Sequence, residues 1–231
     1  MTMFALRCGL LGALVTLGSY AGQPVELAAA ANAPSLAQIH GVYAWMSPDA
    51  TRANLLMTIA ATDASATTFA DDVQYVFHVS TYESFAQPPV TTTNVICQFA
   101  NAGDLECWVG ASYVRGNPSS TTGLVSENLL IRIFAGRRSD PMAFNRDGFD
   151  EAMRRLREAA GGLAGACPAL PPAGATQIVE QLALAPDGAG PARDAYAASN
   201  VLALTIQVDK RLLGATSRAS LISVWGSTHR R

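Results

Sequence analysis

Apolar and polar residues alternate along much of the chain. Val73, Tyr75, Phe77 and Val79 interleave with Gln74, Val76, His78 and Ser80, the two-residue period of a half-buried strand. The same period runs through Leu129, Ile131 and Ile133 against Leu130, Arg132 and Phe134. It recurs through Leu202, Leu204, Ile206 and Val208 against Ala203, Thr205, Gln207 and Asp209. Residues 54–61 form a continuous apolar run, which predicts a strand buried on both faces. Shorter runs at 42–46 and 221–225 complete the set, the first ended by the turn residues Ser47-Pro48-Asp49.

Two alternating runs, Asn94-Val95-Ile96-Cys97-Gln98-Phe99 and Leu105-Glu106-Cys107-Trp108-Val109, flank Ala100-Asn101-Ala102-Gly103-Asp104. Asn, Gly and Asp between alternating runs predict a hairpin. A loop centred on Ala102 sets Cys97 opposite Cys107, at a cross-strand spacing that suits a disulfide. The rival is a zinc pair, but zinc cysteines are usually closer in sequence with further ligands nearby, so no metal site is assigned.

Helical periodicity is concentrated in one place. Phe149, Met153, Leu156 and Ala160 fall on one face, Asp147 is positioned to cap, and Gly161-Gly162 stops the run. This predicts a helix over 148–160, with Asp150–Arg154 and Glu151–Arg155 as ion pairs on its outer side. A weaker helix is expected over 176–184, with loops at 167–174 and 186–193. Neither loop is long enough for a domain linker. The pattern therefore predicts a mainly β protein: an antiparallel, β-sandwich-like single domain over 32–231 with one or two short helices. An α+β arrangement is the alternative.

Composition narrows the class. The chain has 231 residues, 49% hydrophobic and 15% charged, which is apolar enough for a core and too weakly charged for a disordered chain. Net charge is −2, and Lys210 is the only lysine. The densest basic stretch, Arg154, Arg155 and Arg157, is interleaved with Glu151 and Glu158, a solvated helix face and not a nucleic-acid footprint.

Residues 1–31 carry the parts of a secretory signal. Arg7 precedes an uncharged apolar stretch at 9–22, and the small residues from Ala28 to Asn32 offer cleavage sites. The stretch is too short for a spanning helix, and no second long apolar run follows. A periplasmic or extracellular protein without a membrane span in its mature chain is expected. Its compartment would be oxidising, and Cys167 is the odd thiol beside the Cys97–Cys107 pair.

Catalytic signatures are sparse. His40, His78 and His229 form no paired metal motif, and neither a Gly-x-Ser-x-Gly elbow nor a phosphate-binding glycine loop occurs. No catalytic residue, metal ligand or cofactor is assigned. The distinctive stretch is Ile133-Phe134-Ala135-Gly136-Arg137-Arg138-Ser139-Asp140-Pro141-Met142-Ala143-Phe144-Asn145, followed by Asp147-Gly148-Phe149. With Val42-Tyr43-Ala44-Trp45-Met46-Ser47-Pro48-Asp49, it resembles a bacterial family catalogued as domain of unknown function 4331. Cys107-Trp108-Val109-Gly110, Ala166-Cys167-Pro168, Asn200-Val201-Leu202-Ala203-Leu204 and Val224-Trp225-Gly226-Ser227-Thr228-His229 extend the resemblance in order along the chain. Ser139 stands where that family commonly has Asp, and Met142 and Ala143 where it has Phe. The resemblance implies an exported β-rich domain and carries no established activity.

Two functions are compatible with these features. The first is a non-catalytic binding or envelope-associated module whose partner is a small ligand or an envelope protein. The alternative is a carboxylate- or cation-assisted hydrolase. Either would use the polar turn after the strand ending at Ala135-Gly136, where Arg137, Arg138, Asp140, Asn145 and Asp147 gather guanidinium, carboxylate and amide groups. A structural account of the same residues has Asp140-Pro141 forming a turn, Asp147 capping the helix and Arg138 pairing with a neighbouring carboxylate.

Overall fold

A computed structural model describes residues 35–59, 67–100, 103–159, 170–185 and 190–231. All of them fall within one compact unit, Ala33–Arg231. Residues 1–31, which the sequence reads as a signal, and Ala60, Ala61, Ala102, Ala160, the expected Gly161-Gly162 stop and Cys167 lie outside the described residues.

Among the described residues, ten strands form two five-stranded antiparallel sheets. The first is ordered β1 (Ile39–Met46), β2 (Arg52–Ile59), β9 (Asn200–Asp209), β8 (Ile131–Ser139), β7 (Leu124–Val125). The second is ordered β10 (Leu221–Arg230), β3 (Val73–Tyr82), β4 (Thr91–Phe99), β5 (Leu105–Val109), β6 (Ser112–Gly116). Among the described residues, two helices, α1 (Arg146–Ala159) and α2 (Pro172–Ala183), are inserted between β8 and β9. The mainly β, sandwich-like architecture expected from the alternation is the one observed.

The alternating residues meet as their period requires. Leu55, Met57, Ile59, Leu204, Ile206, Ile131 and Ile133 from one sheet share a core with Val73, Tyr75, Phe77, Val95 and Leu105 from the other. Cys97 and Cys107 are directly opposed, fully buried and joined as a disulfide. At the β1–β10 side the sheets approach so closely that a Cβ on Gly226 would lie 2.8 Å from the Met57 methyl and 2.9 Å from Val42. Glycine is required there for packing, and the contact closes that side of the sandwich.

Several boundaries differ from the sequence expectations for physical reasons. Leu129 is not in a strand: it has φ +60° in the turn before β8, and its carbonyl accepts from Arg52 Nη1. β8 continues past Gly136 to Ser139 because Arg137, Arg138 and Ser139 pair with Leu202, Val201 and Asn200. β10 runs on to Arg230, its whole length paired to β3. The helix after β8 begins at Arg146 and is capped by Asn145, whose Oδ1 accepts from the Gly148 amide at 3.0 Å. Asp147 is instead an exposed residue of the first turn. On the outer side of α1, Glu151 pairs with both Arg154 and Arg155, and Arg154 turns to Glu158 rather than Asp150. The second helix begins earlier than expected, at Pro172, since proline is well suited to a first turn.

Candidate functional site

The structure gives Arg138, Asp140 and Asn145 of the polar stretch separate partners. Arg137 and Arg138 are strand residues, not turn residues. Arg138 lies over the Phe134 ring, 3.9 Å from its centroid, and its Nη1 donates to the Arg137 carbonyl. Asp140 is turned inward, with its side chain 1% exposed. Its Oδ1 accepts from the Met142 amide, and its Oδ2 is 2.9 Å from His40 Nε2. Neither His40 Nε2 nor Asp140 Oδ2 has an in-line hydrogen bond, so this contact is an ion pair only when the imidazole is protonated. Arg138 and Asp140 therefore do not satisfy each other. Asn145 is consumed by the helices: besides capping α1, its Nδ2 donates to the Gln181, Leu182 and Leu184 carbonyls at the end of α2.

The segment around Asp140 is sealed by the approach to β9. Asp140 N donates to Ser199 O, Ala195 N to Phe144 O, and Asp194 Oδ1 accepts from the Phe144 and Tyr196 amides. Tyr196 meets His40 edge-on at 5.4 Å. Burial pushes the Tyr43 phenol up from its ordinary value, and the Asp140 charge adds to that. This cluster closes the insertion against the sheet.

A different set of polar groups is displayed outward, on the second sheet. The register places Trp225, His78 and Asn94 in one row across β10, β3 and β4. A second row holds Ser227, Val76, Ile96, Trp108 and Tyr113, and a third His229, Gln74, Gln98, Glu106 and Arg115. Because successive side chains alternate between faces, all of these point away from the core.

The rows are cross-linked by side-chain hydrogen bonds. His78 Nδ1 is 2.9 Å from Asn94 Oδ1, and His78 Nε2 is 2.8 Å from Ser227 Oγ, which is also 2.8 Å from His229 Nε2. With Asn94 accepting, Nδ1 carries the proton, so Nε2 accepts from the serine hydroxyl and His229 donates to it. The His78 ring lies against the Trp225 indole, 3.7 Å between centroids and 14° between planes. On the other side Gln74 donates to Gln98, Gln98 to Glu106 Oε2 at 2.9 Å, and Tyr113 to Glu106 Oε1 at 3.2 Å. The Gln98 hydrogen bond, followed by that of Tyr113 and the charge of the nearby Arg115, holds the Glu106 carboxyl below its usual range. Trp225 remains 57% and Tyr113 49% exposed, so the face is an open platform.

Sequence reasoning read His78 as an ordinary strand residue and did not single out Trp225, Asn94, Ser227 or Glu106. The alternation in β3 and β4 marked which residues face outward, but only the pairing of β10 with β3 brings Ser227 and His229 beside His78. A cavity of about 680 Å³ lies elsewhere, among Leu36, Phe69, Phe99 and Ala135, and Asp71 is the ionisable residue among its described lining. Among the described residues no group of three His, Cys, Asp or Glu is placed to hold a metal ion. No helix among them is long and apolar enough to cross a membrane.

Compared with known protein families, with curated proteins and with solved structures, the chain has no match in any of the three.

Proposed function

We propose that this is an exported, non-catalytic binding module that takes its ligand on the outer face of the β10-β3-β4-β5-β6 sheet. The observation that carries the reading is the pre-arranged face itself. Its amide, imidazole and hydroxyl groups are already held by one another, while Trp225 and Tyr113 are left open to solvent. Groups fixed before binding lose little rotamer freedom on contact. Export is supported by the signal-like residues 1–31 and by the buried Cys97–Cys107 disulfide, which favours an oxidising compartment. The resemblance of the ordered motifs to domain of unknown function 4331 supports the same reading. The test is co-sedimentation of the protein with fragments of the source organism's own cell envelope. Retention is expected for the wild type and loss for Trp225→Ala; equal retention of both would overturn the reading.

One observation favours hydrolysis as a second reading. Ser227, His78 and Asn94 are linked in the order nucleophile, base and orienting group. The open face counts against it, since acyl transfer gains most from oxyanion donors in a water-excluded site. Covalent labelling of Ser227 by a fluorophosphonate, lost in His78→Ala, would establish it.

A further inference from the structure

We infer that the ligand of this face is a neutral glycan chain of several sugar units. The inference rests on the binding reading above and concerns only the chemistry of what binds.

Charge is the first constraint. Across the three rows the side chains that are charged at any pH near neutrality are Glu106 and Arg115, and these lie 3.5 Å apart. An anionic polymer would find one guanidinium already facing a carboxylate, and nucleic acid needs a basic footprint that is not there. A cationic partner would find a carboxylate already engaged by Gln98, Tyr113 and Arg115. The face is therefore matched to an uncharged ligand.

Polarity is the second constraint. An apolar partner would have to bury Gln74, Gln98, Asn94, Ser227 and His229, leaving donors and acceptors to be desolvated at a cost. A polyhydroxyl ligand would not. The imidazole and amide groups of the two outer rows, with the Ser227 hydroxyl between them, include both donors and acceptors, and hydroxyl groups of sugars are both as well. The middle row supplies the complementary apolar element. Ile96, Trp108 and Tyr113 run as a stripe between the two polar rows, with Val76 buried at its inner end. A sugar ring has the same division, with C–H groups on its faces and hydroxyl groups at its rim. Laid on this sheet, its faces meet the stripe and the exposed indole while its rim reaches the polar rows.

Length is the third constraint. Trp225 is on β10 and Tyr113 on β6, at opposite edges of the sheet. Four strand spacings separate them, roughly 19 Å. Two exposed rings that far apart, with polar groups continuous between them, fit an extended chain lying across the strands rather than one monosaccharide.

The test is affinity electrophoresis of the disulfide-bonded protein through gels containing soluble neutral polysaccharides (hydroxyethylcellulose, mannan, dextran and xyloglucan), with alginate and heparin as anionic controls. Retardation by at least one neutral polymer is expected, insensitive to salt. Trp225→Ala and Tyr113→Ala should each weaken it at least tenfold while leaving the melting temperature near that of the wild type. Because either ring could be a minor contributor, the double variant is included, and it should not be retarded at all. Salt-sensitive retardation by alginate or heparin alone would overturn the neutral-glycan assignment. So would the absence of retardation by every neutral polymer when Trp225→Ala still abolishes envelope retention; that result would leave the binding face standing with another ligand class. If Trp225→Ala changes neither measurement, both readings fail together.

Discussion

His78 of β3 and Trp225 of β10 are directly opposed in the register, and their rings stack at 3.7 Å between centroids. The stack fixes the indole on the outer face while more than half of Trp225 stays in contact with solvent. Stability and binding should therefore separate at this position. Trp225→Ala should cost about 0.5–1.5 kcal/mol, the range for one aromatic pair. Urea unfolding followed by far-ultraviolet dichroism measures it. A loss above about 3 kcal/mol, the scale of a core truncation, would mean that Trp225 holds the fold together and would remove it as a clean binding probe.

Cys97 and Cys107 close a loop with a sequence separation of 10. Loop-entropy arguments put the stabilisation from such a short loop at about 2–3 kcal/mol. The double variant Cys97→Ala/Cys107→Ala should lose about that much in chemical unfolding and keep its sheet signature. Both sulfurs are buried, so native protein should resist a thiol reagent until it is reduced and unfolded. Rapid labelling of either cysteine without reductant would contradict the pairing.

What the sequence made legible was local. The two-residue period of 73–80 and 202–209 located β3 and β9, and the Asn-Gly-Asp turn set the Cys97–Cys107 register to the residue. What stayed hidden depended on partners far along the chain. Arg137 and Arg138 read as turn residues because Gly136 interrupts the apolar pattern; only pairing with β9 extends the strand through them. Asp140 read as a surface group because its partner, His40, comes from the first strand. The strand β7 has only two residues, too few for any period, and in β6 only Val114 is buried, so its five residues show no repeated apolar alternation. The candidate face was invisible for the same reason: each row draws single residues from strands whose neighbours are set by topology.

Acid should act through Asp209. Hydrogen bonds from the Arg211 side chain, then from its backbone amide, lower the Asp209 carboxyl from 3.8 to about 2. A depressed folded value means that the ionised form is favoured by folding. Its contribution is thus complete above the unfolded value and is lost as pH falls through the folded one. The denaturation midpoint of wild type should drop between about pH 4 and about pH 2 partly for this reason, and that part should be missing from Asp209→Asn. Parallel pH profiles of the two proteins, identical in shape, would show that Asp209 is not a source of the acid sensitivity.

Asp140 should behave as a structural carboxylate. Its side chain is 1% exposed, accepts from the Met142 amide and faces His40. Asp140→Ala should destabilise by about 1–3 kcal/mol, the range for leaving a buried polar partner unmatched. Arg138→Ala, which removes a guanidinium resting on Phe134, should cost about 0.5–1 kcal/mol. Thermal melts of the two variants rank them. If Asp140→Ala melts with the wild type while Arg138→Ala is strongly destabilised, the assignment of roles is reversed.

Asn145 and Gly148 determine whether the helical insertion is a separable unit. One side chain closes both helices: Asn145 Oδ1 caps α1 at Gly148, and its Nδ2 meets the last carbonyls of α2. Asp at this position could still cap α1 but has no donor for α2 when ionised, so Asn145→Asp should release only the second helix. Ala should lose both connections, at about 1–3 kcal/mol from a cap together with buried hydrogen bonds. Gly148→Ala should be worse, because its Cβ would be 2.0 Å from the Gln181 carbonyl oxygen and the backbones would have to move apart. The sandwich core draws its residues from the strands and not from either helix, apart from Leu213 and Phe69 in connecting segments. Amide hydrogen exchange should accordingly accelerate within Arg146–Ala159 and Pro172–Ala183 in Asn145→Ala and Gly148→Ala, while β2, β3 and β9 keep wild-type protection. Uniform acceleration across strands and helices would mean that the insertion and the sandwich unfold as one unit and that Asn145 contributes to the whole domain.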